Sequence, residues 1–217
     1  ALLLCCFAAL LLCCFAALFC ITFEVHAYSS NVKKPNIVTP AQRKALASPA
    51  RQEIVDALDA AGPSSVSRIA QLTGRPADGL YFHLRALERC DLIRVRTVAK
   101  TGRHLATLYD LSKRPLKLNY TADPAIRRQN ARIVAAAIRV SSRDFAAACA
   151  DHSIPADGPR RKLWGGRSKG WLTNAELARA VALISELSDL VRAGTPRKNT
   201  TPIALGFLLA PTTRTTT

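Results

Sequence analysis

The sequence predicts an α+β fold that is mainly helical and carries one small β-hairpin. Apolar residues recur at helical spacing between residues 48 and 90, and again after residue 123. Between these segments, residues 92–111 alternate apolar and polar side chains in two runs separated by a Gly-containing turn, which is typical of a hairpin. The expected order is therefore a set of helices, a hairpin and a C-terminal helical extension.

Local signals place the boundaries of the first helices. A serine and a proline at 48–49 fit the N-cap and the first helical position, and a Gly-Pro pair at 62–63 ends that helix. A short helix is expected over 64–74, with a glycine at its end, and a longer one over 77–90. A short helix, a tight turn and a second helix therefore follow one another.

The helix expected over 77–90 has two different faces. At about 100° per residue, Leu80, Leu84 and Leu87 fall in one sector, whereas Phe82 lies opposite them and Arg85 shares its side. The leucines predict a face that packs on a core. An aromatic ring beside an arginine on the other face indicates binding. Two further residues of the segment, His83 and Cys90, are expected to be packed.

A helix-turn-helix with a hairpin behind it explains this outward face. The second helix of such a motif can enter the major groove of DNA, and the hairpin would be a wing whose basic tip reaches phosphates or the minor groove. Two alternatives stay open: Phe82 packs on the wing or on a dimer partner, and Arg89 is a solvated surface residue. The residues predicted to contact DNA are Arg75, Asp78, Tyr81, Phe82, Arg85, Arg89, Lys100 and Arg103.

The charge of the chain favours a polyanionic partner. There are 31 Lys and Arg residues against 15 Asp and Glu residues, which gives a net charge of +16. Nucleic acid and an anionic membrane surface are the two partners that this balance indicates.

Residues 45–112 resemble the winged helix-turn-helix domains of ArsR-type bacterial transcriptional repressors. The resemblance rests on "SPARQEIVDAL" at the start of the domain and on "LYFHLRALERCDLIR" at the second helix and its exit. It implies operator binding as a homodimer. The chain departs from the pattern at Asp91, where the family usually has a glycine. Metal sensing is not expected, because the stretch that carries cysteines in many members reads Ser65-Val66-Ser67-Arg68 here.

The remaining segments divide the chain further. We expect the winged helix-turn-helix domain over 40–112, a helical dimerisation or effector region over 113–194, and a disordered tail over 195–217. Within the helical region, Trp164 and Trp171 are candidates for a small-molecule effector pocket, and the alternative is that they anchor the last helix by packing.

Residues 1–23 are apolar except for Thr22, and residues 24–39 read as a linker. The apolar run is long enough to span a bilayer, so one interpretation is a transmembrane anchor. A second interpretation is a start assigned upstream of the true one, since LLLCCFAA occurs twice. A signal peptide fits less well, because no basic residue precedes the run.

The sequence therefore predicts a DNA-binding regulator, with a membrane-tethered winged-helix adaptor as the alternative. An enzyme is not expected, because neither a phosphate-binding loop nor a G-x-S-x-G or H-E-x-x-H motif occurs. No cofactor or metal is expected.

The expected partners are double-stranded DNA, a second copy of the chain and a small-molecule effector, and a membrane only through residues 1–23. The expected location is the bacterial cytoplasm. If residues 1–23 form a transmembrane helix, we expect the protein to be anchored to the inner membrane.

Overall fold

A computed structural model describes residues 36–37, 39–101, 104–195 and 197–212, without the side chains of 97–101 and 104–106. The N-terminal apolar segment, most of the linker and Arg103 lie outside these residues. The described part of the chain divides into two compact units, Lys169–Leu187 and the remainder, residues 36–168 with 188–212. The domain boundaries expected at residues 112 and 194 stay predictions.

The protein is mostly helical, with a small three-stranded antiparallel sheet, as the sequence predicts. It is a winged helix-turn-helix domain followed by C-terminal helices. In chain order the elements are α1 (Pro40–Leu46), α2 (Pro49–Ala61), β1 (Ser64–Ser65), α3 (Val66–Thr73), α4 (Ala77–Glu88), β2 (Ile93–Thr101), β3 (His104–Leu111), α5 (Pro124–Ala150) and α6 (Asn174–Ala193).

Capping residues fix the ends of the first helices. Thr39 and Gln42 form a capping box at the start of α1, which satisfies two backbone N–H groups there. Ser48 lies at the N-cap of α2 but makes no capping hydrogen bond with its side chain. Gly74 ends α3 with a φ of 65°, a left-handed conformation that glycine adopts without steric cost.

The sheet has the strand order β1-β3-β2. The hairpin of β2 and β3 confirms the predicted pair of strands, whereas the two-residue strand β1 was not expected. Among the hairpin side chains that the structure describes, the buried ones lie at its base, where Ile93 pairs with Leu111. Val95 follows Ile93 by two residues and pairs with Tyr109, but it is exposed. Val95 lies beyond the part of the hairpin that the core covers, and a register shift follows it directly.

One core holds α1 to α5 and the base of the hairpin together. Its centre is made of Ile54 and Leu58 from α2, Ile69 from α3, and the three leucines of α4, none of which is exposed. Ile133 brings α5 into the same cluster. The burial of α4 by its leucine face confirms the phasing predicted from the sequence.

Helical spacing in the sequence predicts that α5 buries a stripe of Val134, Ile138, Phe145 and Ala148, but the structure buries another face. Its buried residues are Asn130, Ile133, Ala136 and Val140. The predicted stripe, which included Val134, Ile138 and Phe145, lies beside this one and is only partly covered or exposed. A helix so rich in alanine offers two neighbouring apolar stripes, and the contacts with α1 and α2 decide which of them is buried.

The sequence predicts a capping box of Thr173 and Glu176 at the start of the last helix, and the structure confirms it. Thr173 and Glu176 form a capping box, in which the Thr173 N–H donates to Glu176 Oε2 at 2.7 Å and the Glu176 N–H donates to Thr173 Oγ1 at 3.3 Å. No residue of α6 is buried. Among the described residues, no helix combines the length and the apolar character that crossing a membrane requires. The expected disorder of the tail stays a prediction, and its described residues 197–212 form no helix or strand.

Candidate nucleic-acid interface

The outward face of α4 carries aromatic and charged side chains together. Phe82 is 67% exposed and Tyr81 46% exposed, and Arg85 and Arg89 are exposed on the same helix. Asp78 is also exposed, in the first turn of α4. Because the three leucines of the opposite face are fully buried, the outward face has a fixed orientation relative to the core.

The charged side chains of this face have no hydrogen-bond or ion-pair partner within the described part of the chain. There, the side chains of Asp78, Arg85 and Arg89 form no hydrogen bond and no ion pair. An arginine in this state keeps all five N–H donors for a phosphate or for the O6 and N7 atoms of guanine. Arg85 and Arg89 therefore have the chemistry that DNA binding requires, and their contact with DNA stays a prediction.

Arg75, in the turn before α4, has a different environment from the other predicted contacts. Its Nε donates to Glu53 Oε2 at 2.5 Å and its Nη2 donates to Glu53 Oε1 at 3.1 Å. The Glu53 side chain is 5% exposed and that of Arg75 is 34% exposed. A contact of Arg75 with DNA stays a prediction, but the paired guanidinium also fixes the turn to α2.

Glu53 binds a second arginine, Arg143 of α5, through Nη1. Burial opposes the ionised form of Glu53, but the hydrogen bonds and charges of Arg75 and Arg143 outweigh it and lower the pKa of the carboxyl group. Both arginines have a raised pKa, that of Arg75 chiefly through Glu53 and that of Arg143 chiefly through its hydrogen bond with Asp144 and then through Glu53. This buried carboxylate thus joins the turn before α4 to α5.

His83 lies between the core face and the outward face of α4. Its ring meets that of Phe82 edge to face, with 5.4 Å between the ring centroids and an interplanar angle of 71°. Burial lowers the pKa of His83, and the charges of Arg51 and Arg75 lower it further. The histidine is packed, as predicted, but its buried Nδ1 has no hydrogen-bond partner in the described structure.

The turns on either side of α4 explain its placement. Only three residues separate α3 from α4, and the Arg75 N–H donates to the Ala70 carbonyl at 3.2 Å. After α4, Asp91 has a φ of 55°, the conformation for which glycine is the usual residue. Cys90 packs against the core beside it, as predicted, and burial raises the pKa of its thiol.

The hairpin follows α4 directly and has an ion-pair network at its base. Asp110 is almost fully buried and accepts from Arg96 Nε at 3.0 Å, and it pairs with Arg114 Nη2 at 2.5 Å. Burial opposes ionisation of Asp110, but the hydrogen bonds from Arg114 and Arg96 hold its pKa below the usual range. Two of the predicted DNA contacts belong to the tip of the hairpin. Lys100 lies in β2, its side chain being outside the described part of the chain, and Arg103 is outside the described residues.

The two tryptophans proposed for an effector pocket belong to different compact units. Trp164 is exposed, and the guanidinium carbon of Arg161 lies 3.8 Å from its ring centroid. Trp171 is 96% exposed. The pocket stays a prediction. In the residues that the structure describes, no group of three or more His, Cys, Asp and Glu side chains is arranged to hold a metal ion.

Residues 46–96 match a family model described as a helix-turn-helix domain. The matched range begins at the last residue of α1 and continues through α4 into β2. The match and the fold together define α3 and α4 as a helix-turn-helix, a motif that binds DNA. No curated protein sequence matches the chain.

Proposed function

We propose that the protein is a sequence-specific transcriptional regulator that binds double-stranded DNA with α4 in the major groove. The observation that carries this proposal is the outward face of α4, where exposed aromatic rings and unengaged arginines share one surface. The major groove admits an α-helix and presents a different pattern of donors, acceptors and thymine methyl groups for each base pair. Arg85 would read guanine, and Tyr81 and Phe82 would contact thymine methyl groups.

Selection of bound sites from a random duplex library, followed by gel shifts with competitor DNA, tests this proposal. Arg85→Ala should reduce the preference for the selected site by about 1–3 kcal/mol, because a bidentate contact with one base is lost. Arg139→Ala is the matched control, since Arg139 is an exposed arginine of α5. It should weaken binding equally for all sequences. Binding that shows no sequence preference in the wild-type protein would refute the proposal.

The wing would position the protein on the sugar-phosphate backbone. Lys100 and Arg103 are proposed to contact phosphates or the adjacent minor groove, because in the sequence Lys100 is the penultimate residue of β2 and Arg103 directly precedes β3. Replacing either by alanine should weaken binding to every sequence alike and reduce the slope of log K against log salt by about one. A change of sequence preference would show instead that the wing reads bases.

We further propose that the protein acts as a homodimer through α6. Leu177, Val181 and Leu187 share one face of this helix and are all exposed in the single chain. A dimer would place two copies of α4 about one turn of DNA apart, so the selected site should be palindromic. Sedimentation equilibrium should show a dimer that Leu187→Glu dissociates and that the control, Glu186→Gln on the adjacent exposed position, leaves intact. A monomeric wild-type protein would contradict this.

The resemblance to ArsR-type proteins supports the finer proposal of a bacterial, cytoplasmic repressor that does not sense metals. A promoter carrying the selected site in front of a reporter gene should be silenced when the protein is present. Addition of Zn²⁺ should not restore expression. The Trp164 and Trp171 region is proposed to bind an effector, for which quenching of tryptophan fluorescence by an added ligand is the direct measurement.

A further inference from the structure

A partly open cavity of about 290 Å³ lies between α1 and the N-terminal half of α5. Neither tryptophan and no residue of α4 lines it. The side chains that line it are Pro40, Arg43, Lys44, Ala47, Gln129 and Arg132.

Half of the lining residues are cationic and none is acidic. Arg43 is 2% exposed, whereas Lys44 and Arg132 are exposed at the margin. Neither Lys44 nor Arg132 forms an ion pair with any residue that the structure describes. Three like charges around one small space raise the local potential, and an anion placed among them would lower it.

The rest of the wall indicates what kind of anion fits. Pro40 and Ala47 give the cavity apolar surface, and Gln129 adds an amide whose Oε1 is buried without a hydrogen-bond partner among the described residues. A buried amide of this kind is ordinarily satisfied by a ligand or a water, and rotation of its plane presents the N–H₂ group as a donor. The volume is near the lower end of the range for small-molecule sites.

We propose that this cavity binds a small organic carboxylate with a single-ring apolar body. The carboxylate would lie between Lys44 and Arg132, with Arg43 behind it, and the ring would lie against Pro40 and Ala47. Binding at this site does not depend on the proposed recognition of DNA. The proposed site also includes neither Trp164 nor Trp171.

Saturation-transfer NMR on the full 217-residue chain tests the proposal with benzoate as the probe. Benzyl alcohol, which has the same ring without the charge, and sulfate at equal ionic strength are the comparison ligands. Benzoate should bind saturably in the millimolar range and raise the midpoint of thermal unfolding. Benzyl alcohol should bind more weakly, and sulfate should raise the midpoint less. Benzyl alcohol that binds as tightly as benzoate, or sulfate with an equal effect, would overturn the assignment to an organic carboxylate.

Substitutions at the margin locate the site without disturbing the core. Lys44→Gln and Arg132→Gln should each weaken benzoate binding by about two- to fivefold, and the double variant should weaken it further. Arg128→Gln is the matched control, since it removes an exposed arginine of α5 that does not line the cavity. Thermal unfolding without ligand confirms that each variant folds. If Arg128→Gln weakens binding as much as Arg132→Gln, benzoate is attracted by the overall positive charge and the proposed site is wrong.

Discussion

Glu53→Gln replaces a buried carboxylate with a neutral amide. In the wild-type protein this carboxylate, which belongs to α2, binds one arginine from the turn before α4 and one from α5. The wild-type side chain is 5% exposed and accepts two hydrogen bonds from Arg75 and one from Arg143. Hydrogen bonds to charged groups contribute about 1.5–3 kcal/mol each. Because Arg75 is 34% exposed and Arg143 53% exposed, water replaces part of the hydrogen bonding that their guanidinium groups lose in the variant. We therefore expect the free energy of unfolding to fall by about 2–3 kcal/mol in total.

Chemical denaturation at neutral pH measures this loss, and thermal unfolding should show a midpoint lower by roughly 4–12 °C. Glu88→Gln is the control, because Glu88 is an exposed residue of α4 that forms no ion pair with any described residue. Its effect should be below about 0.5 kcal/mol. Equal effects of the two substitutions would refute the energetic role assigned to Glu53.

The dependence on pH gives a second, independent check. The folded protein holds the pKa of Glu53 below its ordinary value of 4.5, so its ionisation stabilises the fold above that pH. This contribution is lost as the pH falls through the lowered pKa, where the carboxyl group becomes protonated. The difference between wild type and Glu53→Gln should accordingly be full at pH 7 and shrink only below about pH 4.5. A difference that does not vary with pH would show that packing, and not charge, is lost.

Four further substitutions test other parts of the fold by urea denaturation. Leu84→Ala should lower the free energy of unfolding by about 2–5 kcal/mol, because it opens a cavity under α4, whereas the exposed Phe82→Ala should change it by less than about 0.5 kcal/mol. Asp91→Gly should raise it by about 0.5–1 kcal/mol, because it relieves the left-handed conformation, and a decrease would contradict that reasoning. Asp56→Asn should stabilise the protein at pH 7 and have no effect below about pH 3.8, because partial desolvation by the surrounding residues, and then the neighbouring carboxylates, raise the pKa of Asp56 to about 6. The exposed side chain keeps this gain below about 1 kcal/mol, and a loss at pH 7 would refute it.

Features that depend on neighbouring residues were predicted from the sequence. The leucines of α4 mark its buried face because helical spacing repeats along a single segment. The capping box of Thr173 and Glu176 spans three residues, and its hydrogen bonds are those expected. The left-handed conformation at Asp91 was foreseen from one departure from a family pattern. In each case the physical cause lies within a few residues of its effect.

Features that depend on tertiary contact were missed. Glu53 is separated by 22 residues from Arg75 and by 90 from Arg143, and no local pattern distinguishes it from a surface glutamate. Strand β1 has only two residues, and it exists because it pairs with β3. Sequence alone also misplaced the buried face of α5. Its two apolar stripes are nearly equivalent until α1 and α2 cover one of them.

The position of Glu53 links these missed features to the proposed binding surface. The buried leucines of α4 keep its opposite face directed outward. The turn that leads into α4 is held by Arg75, which in turn is hydrogen-bonded to Glu53. The same carboxylate binds Arg143. A displacement of α5 relative to α2 would therefore break the Glu53–Arg143 ion pair and change the surroundings of the carboxylate that holds this turn. Two arginines that share one buried carboxylate are energetically coupled, and a double-mutant cycle of Arg75→Ala and Arg143→Ala should therefore be non-additive. Additive losses in the free energy of unfolding would show that α5 and the helix-turn-helix respond independently.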